Sequence, residues 1–331
     1  MVIATKQSEK SRQTDLKVAY SAASAVRTVG VDQMALTRVA ADAGFSSGAI
    51  YALMSIALVL VWRSTRVINF AQAGQAILTT YIGYEAVTRS GSYWVGLICA
   101  VISGALLGAG IDRFFMRPIF KRVNSGPIVM IAPVVATLAL LGIIQAVIGF
   151  IWGLSYQIIE APISTGGLNI FGSIIAFSPF NLMVLIAVTL SMILLTILFQ
   201  KTNIGLALRA SAYAPEIAKL SGIRVDAVRT LGWALAGAAG GLAGMLYIPG
   251  TNLYPNAMDV LLVFGFIAAV IGGLDSLFGA VAGAMILGFA VNFSASYISY
   301  KLVFPTAFVI LILVLLIKPK GIFSSGKGRK D

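Results

Sequence analysis

The side chains able to do chemistry in this chain fall into a few short segments. Asn69, Gln72, Gln75, Thr79 and Thr80 set amide and hydroxyl groups at near-helical spacing inside an otherwise apolar stretch. Such groups either meet a polar solute or pin one helix to another, and the residue types alone leave both roles open. Gly272-Gly273-Leu274-Asp275-Ser276 places a carboxylate in a glycine turn. Gly321-Ile-Phe-Ser-Ser-Gly326-Lys327 has the spacing of a phosphate-binding loop, but the hydroxyl residue needed after the lysine is Gly328, and no strand or long helix frames it. A flexible basic tail accounts for it better, so this chain is not expected to bind ATP itself. There is no histidine, and Cys99 is the sole cysteine. Ser-His and Cys-His catalysis, histidine metal sites and an intramolecular disulfide are therefore excluded by residue type.

The remaining polar segment runs from Lys201 to Arg229 and carries five Lys or Arg. Within it, Pro215 to Gly222 reads as a helix of two turns. Pro215 suits the first helical position, Glu216 favours the positive end of the dipole, and Gly222 suits a left-handed C-terminal cap. Ala214 is a poor N-cap. A helix this short is not stable alone in water, so its neighbouring helices or a partner must hold it. Ala214, Ile217, Leu220 and Ile223 recur every three residues and form its candidate docking face.

The elements that position these segments are hydrophobic helices. The chain has 331 residues, 59% hydrophobic and 11% charged, against about 25% charged in a soluble domain. Nine apolar runs are spaced along it, at about Ala43–Trp62, Val67–Val87, Tyr93–Ile111, Ile128–Trp152, Phe180–Phe199, Thr230–Ile248, Val260–Gly272, Leu277–Ile298 and Leu302–Ile317. Most approach the ~20 residues that cross a bilayer as a helix. The expected fold is all-α, a polytopic integral membrane protein of about nine transmembrane helices, with eight to ten allowed; the alternating segments of a β-barrel are absent. The seventh run is short enough to be a half-helix that turns at Gly272-Gly273. Rows of small residues, Gly232, Ala236, Gly240 and Gly244 in the sixth run with Gly237 and Gly241 as a second row, Gly104 and Gly108 in the third, Gly279 and Gly283 in the eighth, let backbones approach closely, within one subunit or at a dimer seam.

The net charge of +12 follows membrane orientation rather than nucleic-acid binding. One set of loops together with the C-terminal tail holds sixteen Lys or Arg, and the opposite loops hold only Arg89 and Lys301. The first set is the expected cytoplasmic side, and Leu154–Pro179, without Lys or Arg, faces out. Only Glu85, near a run end, and Asp275 come close to being intramembrane ionisable groups, so no buried relay for ion-driven transport is apparent. The expected layout is a polar, basic extension over residues 1–42, a membrane domain over 43–318 and a basic cytoplasmic tail over 319–331. The extension carries six Lys or Arg, which conflicts with an outside N-terminus after nine spans. A true start at Met34, an amphipathic helix lying on the membrane, or a span count off by one would each resolve this.

Glu216-Ile-Ala218-Lys-Leu-Ser-Gly222 resembles the Glu-Ala-Ala-x-x-x-Gly loop of ABC-importer permeases, with Ile in place of one Ala. Gly48-Ala-Ile-Tyr51, Arg66-Val-Ile-Asn69-Phe70-Ala71-Gln72, Arg117-Pro118, Leu206-Ala-Leu-Arg209, Ala268-Ala-Val-Ile271-Gly272-Gly273 and the Lys318-Pro319-Lys-Gly321 end are similar, in order and spacing, to LivH-type branched-chain amino acid permeases. Departures occur at Gln72-Ala73-Gly74, where the family often has His-Gly-Glu, and at Asp275. The resemblance implies a permease subunit, not an enzyme, that translocates branched-chain amino acids; urea, short amides and other amino acids are the alternatives, with a stand-alone carrier or channel behind them. It implies a bacterial-type plasma membrane location with a cytoplasmic C-terminus. Pro215, Glu216, Ile217, Ala218, Leu220 and Gly222 would form the coupling helix. The implied partners are two cytoplasmic ATPase subunits that bind ATP and Mg, a related permease subunit and an extracytoplasmic solute-binding protein; the chain itself takes no cofactor and no metal. Asn69, Gln72, Gln75, Gly272, Gly273 and Asp275 are the candidates for the gate or substrate path.

Overall fold

The computed structural model describes residues 33–122, 128–166, 168–170, 173–175 and 178–323. Most of the basic extension, residues 1–32, and the tail from 324 onward, including Lys327, lie outside the described residues. The elements are α1 (Gln33–Thr65), α2 (Gln72–Ser90), α3 (Tyr93–Gly110), α4 (Arg117–Arg122), α5 (Ile128–Trp152), a hairpin β1 (Leu168–Ile170) and β2 (Ser173–Ile175), α6 (Pro179–Lys201), α7 (Asn203–Tyr213), α8 (Pro215–Leu220), α9 (Val225–Tyr247), α10 (Asp259–Gly272), α11 (Leu277–Tyr297) and α12 (Val303–Ile317). Each of the nine apolar runs is matched by a helix. The antiparallel hairpin is the only sheet among the described residues and lies in the long loop before α6.

Seven of these helical stretches are long and apolar enough to cross a membrane. The other two depart from a simple span for different reasons. α10 has only 14 residues, about 21 Å at 1.5 Å per residue against a core of about 30 Å. It ends at Gly273, whose φ of +102° is open to glycine and starts the turn into α11. α2 is polar because it is central rather than lipid-facing: Gln72, Gln75, Thr79, Thr80 and Tyr81 are all fully buried. Hydropathy measures suitability for lipid and says nothing of a helix enclosed by other helices.

Helix ends shift from the apolar runs for local reasons. α1 begins at Gln33, ten residues before the expected Ala43, because the stretch before Ala43 is rich in good helix formers such as Ala, Leu, Met, Gln and Arg. It stops at Thr65, where Arg66 takes a φ of +59°. The chain then runs irregularly from Val67 to Ala71 before α2 begins, so the second span starts later than its apolar run. α9 starts at Val225, a full turn before Thr230.

Burial sorts the helices into two shells. In its most apolar stretch, α1 is 72% buried and α9 61%, whereas α5 is 17%, α6 22% and the last helix only 6%. The inner helices α1, α2, α9 and α10 are therefore held by protein contacts, and the outer ones present apolar side chains such as Phe150, Leu194 and Leu316 to lipid.

The glycine rows lie at the inner contacts, which answers packing within one chain. A Cβ added to Gly104 would sit 2.3 Å from the Gly237 carbonyl oxygen, and one added to Gly237 would sit 2.0 Å from that of Gly104. Gly108 meets the Trp233 carbonyl in the same way, fixing α3 against α9. Gly279 and Gly283 do the same for α11 against Gly272 and Ala268 of α10. The backbones approach so closely that only a hydrogen fits.

Candidate functional site

The basic loops gather at one end of the bundle. Arg63, Arg66, Arg209 and Asp275 line one cleft there, and Ser64, Pro215, Val225 and Arg229 line another. At the opposite end, the loop before α6 is tied down by Gln157, which exchanges backbone hydrogen bonds with Leu253, both 2.9 Å, and accepts one from the Tyr84 hydroxyl at 3.0 Å.

At the basic end the chain makes an elbow of α7, α8 and α9. The Thr202 hydroxyl accepts from the Gly205 amide at 3.2 Å and starts α7. α8 starts at Pro215 without a side-chain cap, as Ala214 predicts. Its end is fully specified. Gly222 adopts φ +81°, the Ile223 amide donates to the Ala218 carbonyl at 2.9 Å, and the Gly222 amide donates to the Lys219 carbonyl at 3.0 Å. These two bonds form a Schellman cap, so the helix proper closes at Leu220 and Gly222 belongs to its cap. Ala218 points inward and is buried, while Ile217 and Leu220 are 66% and 89% exposed and Tyr213 is 88% exposed. Glu216 and Lys219 are exposed beside them. Ala214 and Ile223 are only half-exposed, so the apolar surface of α8 is carried by Ile217 and Leu220. A rigidly capped helix thus presents two unpartnered aliphatic side chains with charges on either side.

Beneath the elbow lies Asp112, a buried ionisable group beyond the two expected from the sequence, Glu85 and Asp275. That reading is corrected: Asp112 is fully buried, whereas the Glu85 and Asp275 side chains are 40% and 58% exposed. In the sequence it stands between an apolar run and a basic loop, where nothing local marks it as buried. A π-helical turn, Ile111–Met116, extends α3 and turns Asp112 inward. There it accepts hydrogen bonds from Arg229 Nε at 2.8 Å, Thr230 Oγ1 at 2.6 Å and Arg117 Nε at 3.3 Å. Arg117 also donates to the Asp226 carbonyl at 2.6 Å, in the first turn of α9. Arg229 stacks 5.1 Å above the Phe120 ring. The node joins α3, α4 and the start of α9 directly behind α8. The pairing of Asp112 with Arg117 at i+5 is the one local signal that could have revealed it.

The polar residues of α2 are brought together in the interior. Asn69 Nδ2 donates to Gln72 Oε1 at 3.1 Å, and Gln72 Nε2 donates to the Ala236 carbonyl of α9 at 3.0 Å. Thr79 and Thr80 return their hydroxyls to carbonyls of their own helix. Asn69 and Gln72 therefore join α2 to α9. Gln75 differs: it is fully buried, and among the described residues neither of its side-chain polar atoms has a partner. A buried amide in that state is costly unless another group or water completes it.

Gly272, Gly273 and Asp275 sit at the basic end. Gly272 packs against the backbone of Gly279 with no room for a side chain. Asp275 forms an ion pair with Arg66 and accepts from Trp62 Nε1 at 3.3 Å. The Ile322 and Phe323 amides donate to the Ile271 and Gly272 carbonyls at 2.8 and 3.1 Å. The first residues of the loop with phosphate-site spacing are thus engaged in closing α10; Ser324 to Lys327 lie outside the described residues. Among the described residues no group of three or more His, Cys, Asp or Glu could hold a metal ion.

A family model described as "Branched-chain amino acid transport system / permease component" matches residues 40–317. A probable branched-chain amino acid transport permease protein LivH of Methanocaldococcus jannaschii is 33% identical over 288 residues, 82% of this chain and 87% of the relative. The high-affinity LivH permease protein of Salmonella typhimurium is 31% identical over 296 residues, covering 84% and 92%. The corresponding BraD protein of Pseudomonas aeruginosa is 28% identical over 298 residues, covering 84% and 93%.

Proposed function

Since this chain belongs to the branched-chain amino acid transport permease family, we propose that it forms half of the membrane pathway of an ATP-driven importer for branched-chain amino acids. The observation that carries the reading is α8: a capped helix at the basic end whose exposed Ile217 and Leu220 need a partner. That partner would be an ATPase subunit on the cytoplasmic side, one on each of two paired permeases, with ATP and Mg held there. A solute-binding protein would deliver the substrate at the opposite face, and the chain would sit in a plasma membrane with its C-terminus in the cytosol.

Closure of the ATPases would displace α8. Because α8 is rigidly capped and α9 begins three residues after its cap, the displacement would pass to α9 and, through the Arg229–Asp112–Arg117 node, to α3. Packed helices of this kind have discrete arrangements, so a small shift at α8 becomes a switch between access to the two faces, with the differential free energy supplied by ATP. Gln75, buried and unpaired, is the group best suited to meet the polar end of an amino acid within the helices.

Uptake of labelled leucine, isoleucine, valine and urea into cells carrying the complete transporter tests this. Glu216→Lys and Gly222→Val are expected to abolish uptake while the protein stays in the membrane. Uptake at the unmutated rate overturns the coupling role of α8, and uptake of urea alone overturns the choice of substrate.

A further inference from the structure

A cleft of 730 Å³ opens between α3, the turn that extends it and the α8–α9 elbow. Its size lies in the range of roughly 300–1,000 Å³ typical of small-molecule sites. Its floor is apolar, formed by Ala109, Leu231 and Ala234, and its rim carries Arg113, Arg117, Lys219 and Arg224. Asp226 is the one acidic residue of the lining. Arg117 is committed to Asp112, Thr230 and the Asp226 carbonyl. The side chains of Arg113, Lys219 and Arg224 make no hydrogen bond or ion pair among the described residues, and all three residues are exposed. Three free cations thus surround a space whose only acidic group, the Asp226 side chain, lies 3.9 Å from Arg229.

The floor continues along α3. Ile102, Leu106 and Ala109 share one helical face at i, i+4 and i+7, and Ile102 and Leu106 are 55% and 70% exposed, with Phe114 beside the rim at 78%. These side chains stand on a helix apolar enough to cross the membrane. The surface therefore changes from apolar to strongly basic over about two turns, at the end where the basic loops collect. An acidic protein segment would use the rim and leave the stripe uncovered. A phospholipid with an anionic headgroup matches both parts, with its phosphate among Arg113, Lys219 and Arg224 and its acyl chains along Ala109, Leu106 and Ile102. We propose that this cleft is a binding site for an anionic phospholipid, which would bridge α3 to the end of α8 through its headgroup. Lys219 precedes the Schellman cap and Arg224 follows it, so an occupied site would restrain the elbow.

The test uses the full chain purified in maltoside micelles, with phosphatidylglycerol, phosphatidylcholine of the same acyl chains, and glycerol phosphate as probes. Native mass spectrometry and thermal melting are read together. Phosphatidylglycerol is expected to be retained in preference to phosphatidylcholine and to raise the melting midpoint, with glycerol phosphate inert at the same concentration. Each cation near a membrane surface is worth about fivefold in affinity for an anionic lipid, so R113Q/R224Q should lower retention by about 25-fold. R89Q, at the opposite end, should leave it unchanged. Equal retention of the two lipids, or retention unchanged in R113Q/R224Q, overturns the proposal. Saturation by glycerol phosphate at lipid-like concentrations makes this a free-phosphate site and overturns it as well. Should the double variant not fold, a photoactivatable phosphatidylglycerol decides on the unmutated chain: labelling confined to Ile102–Arg117 and Lys219–Ala234 supports the site, and labelling elsewhere overturns it.

Discussion

Replacing Asp112 with Asn keeps the shape of the side chain and removes the charge that three donors converge on. Arg229 Nε at 2.8 Å and Arg117 Nε at 3.3 Å would then face a neutral amide whose own N–H groups compete with theirs. Breaking a buried ion pair by removing one partner costs about 3–5 kcal/mol, because the other charge is left uncompensated. Here the carboxylate is fully buried while the two arginine side chains are 21% and 16% exposed. Water can recover part of the loss, and Arg229 keeps the Phe120 ring and Arg117 the Asp226 carbonyl. The low end of the range, about 3 kcal/mol, is therefore expected. At about 2–4 °C per kcal/mol, the melting midpoint should fall by roughly 6–12 °C. Cys99, the only cysteine, is partly shielded in the fold, so a thiol-reactive fluorophore in a thermal ramp reports unfolding without a further label. Asp226→Asn is the internal control. That carboxylate is 55% exposed and 3.9 Å from Arg229, and an exposed pair is worth about 1 kcal/mol or less. A midpoint for Asp112→Asn within about 2 °C of the unmutated protein, or no lower than that of Asp226→Asn, would refute the reasoning that the node holds α3 to α9.

Gly237→Val should be more damaging than Asp112→Asn, because even its Cβ would lie 2.0 Å from a backbone oxygen that cannot rotate away; overpacking costs about 1–3 kcal/mol where side chains can yield, so this contact should exceed that range and show as loss of folded protein by size-exclusion chromatography. Gln75→Met separates structure from transport: it removes a buried amide without partners, so melting should hold or rise, and uptake should fall if Gln75 meets substrate but stay unchanged if it only packs. Asp275→Asn should lower stability by about 1 kcal/mol or less, since Arg66 and Asp275 are 43% and 58% exposed, and the effect should shrink in high salt. In Gly222→Val, a β-branched residue would have to adopt φ +81°, at about 1–2 kcal/mol, enough to open the cap of a helix this short; faster hydrogen exchange at Gly222 and Ile223 is the readout.

The helices were legible because a long apolar run with no charge has few alternatives to a buried or lipid-facing helix. α8 was legible because Pro215 and Gly222 are local signals, and the Schellman bonds to Ala218 and Lys219 follow from the glycine. The rest needed contacts between distant segments. Asn69 and Gln72 have the same chemistry whether they meet a solute or another helix, and only the approach of Ala236 decides that Gln72 spends its donor on α9. Gln75, three residues later, finds no such carbonyl among the described residues. Asp112 is not legible as a buried anchor because Arg229 and Thr230, which bury it, lie more than a hundred residues away.

By itself, the amino-acid sequence determined the all-helical membrane class, the basic loops, the short capped helix and the lack of histidine and paired-cysteine chemistry. These depend on composition and on spacing within a few turns, where the physics is local. Tertiary structure alone decided which helices lie inside, that the glycine rows join α3 to α9 and α10 to α11 within one chain, that Asp112 is an internal anchor, and that a basic rim meets an apolar stripe beside α8. Each of those depends on what stands opposite a side chain across the bundle, and the desolvation and pairing of a charged or amide group are set by that neighbour rather than by the residue's own type.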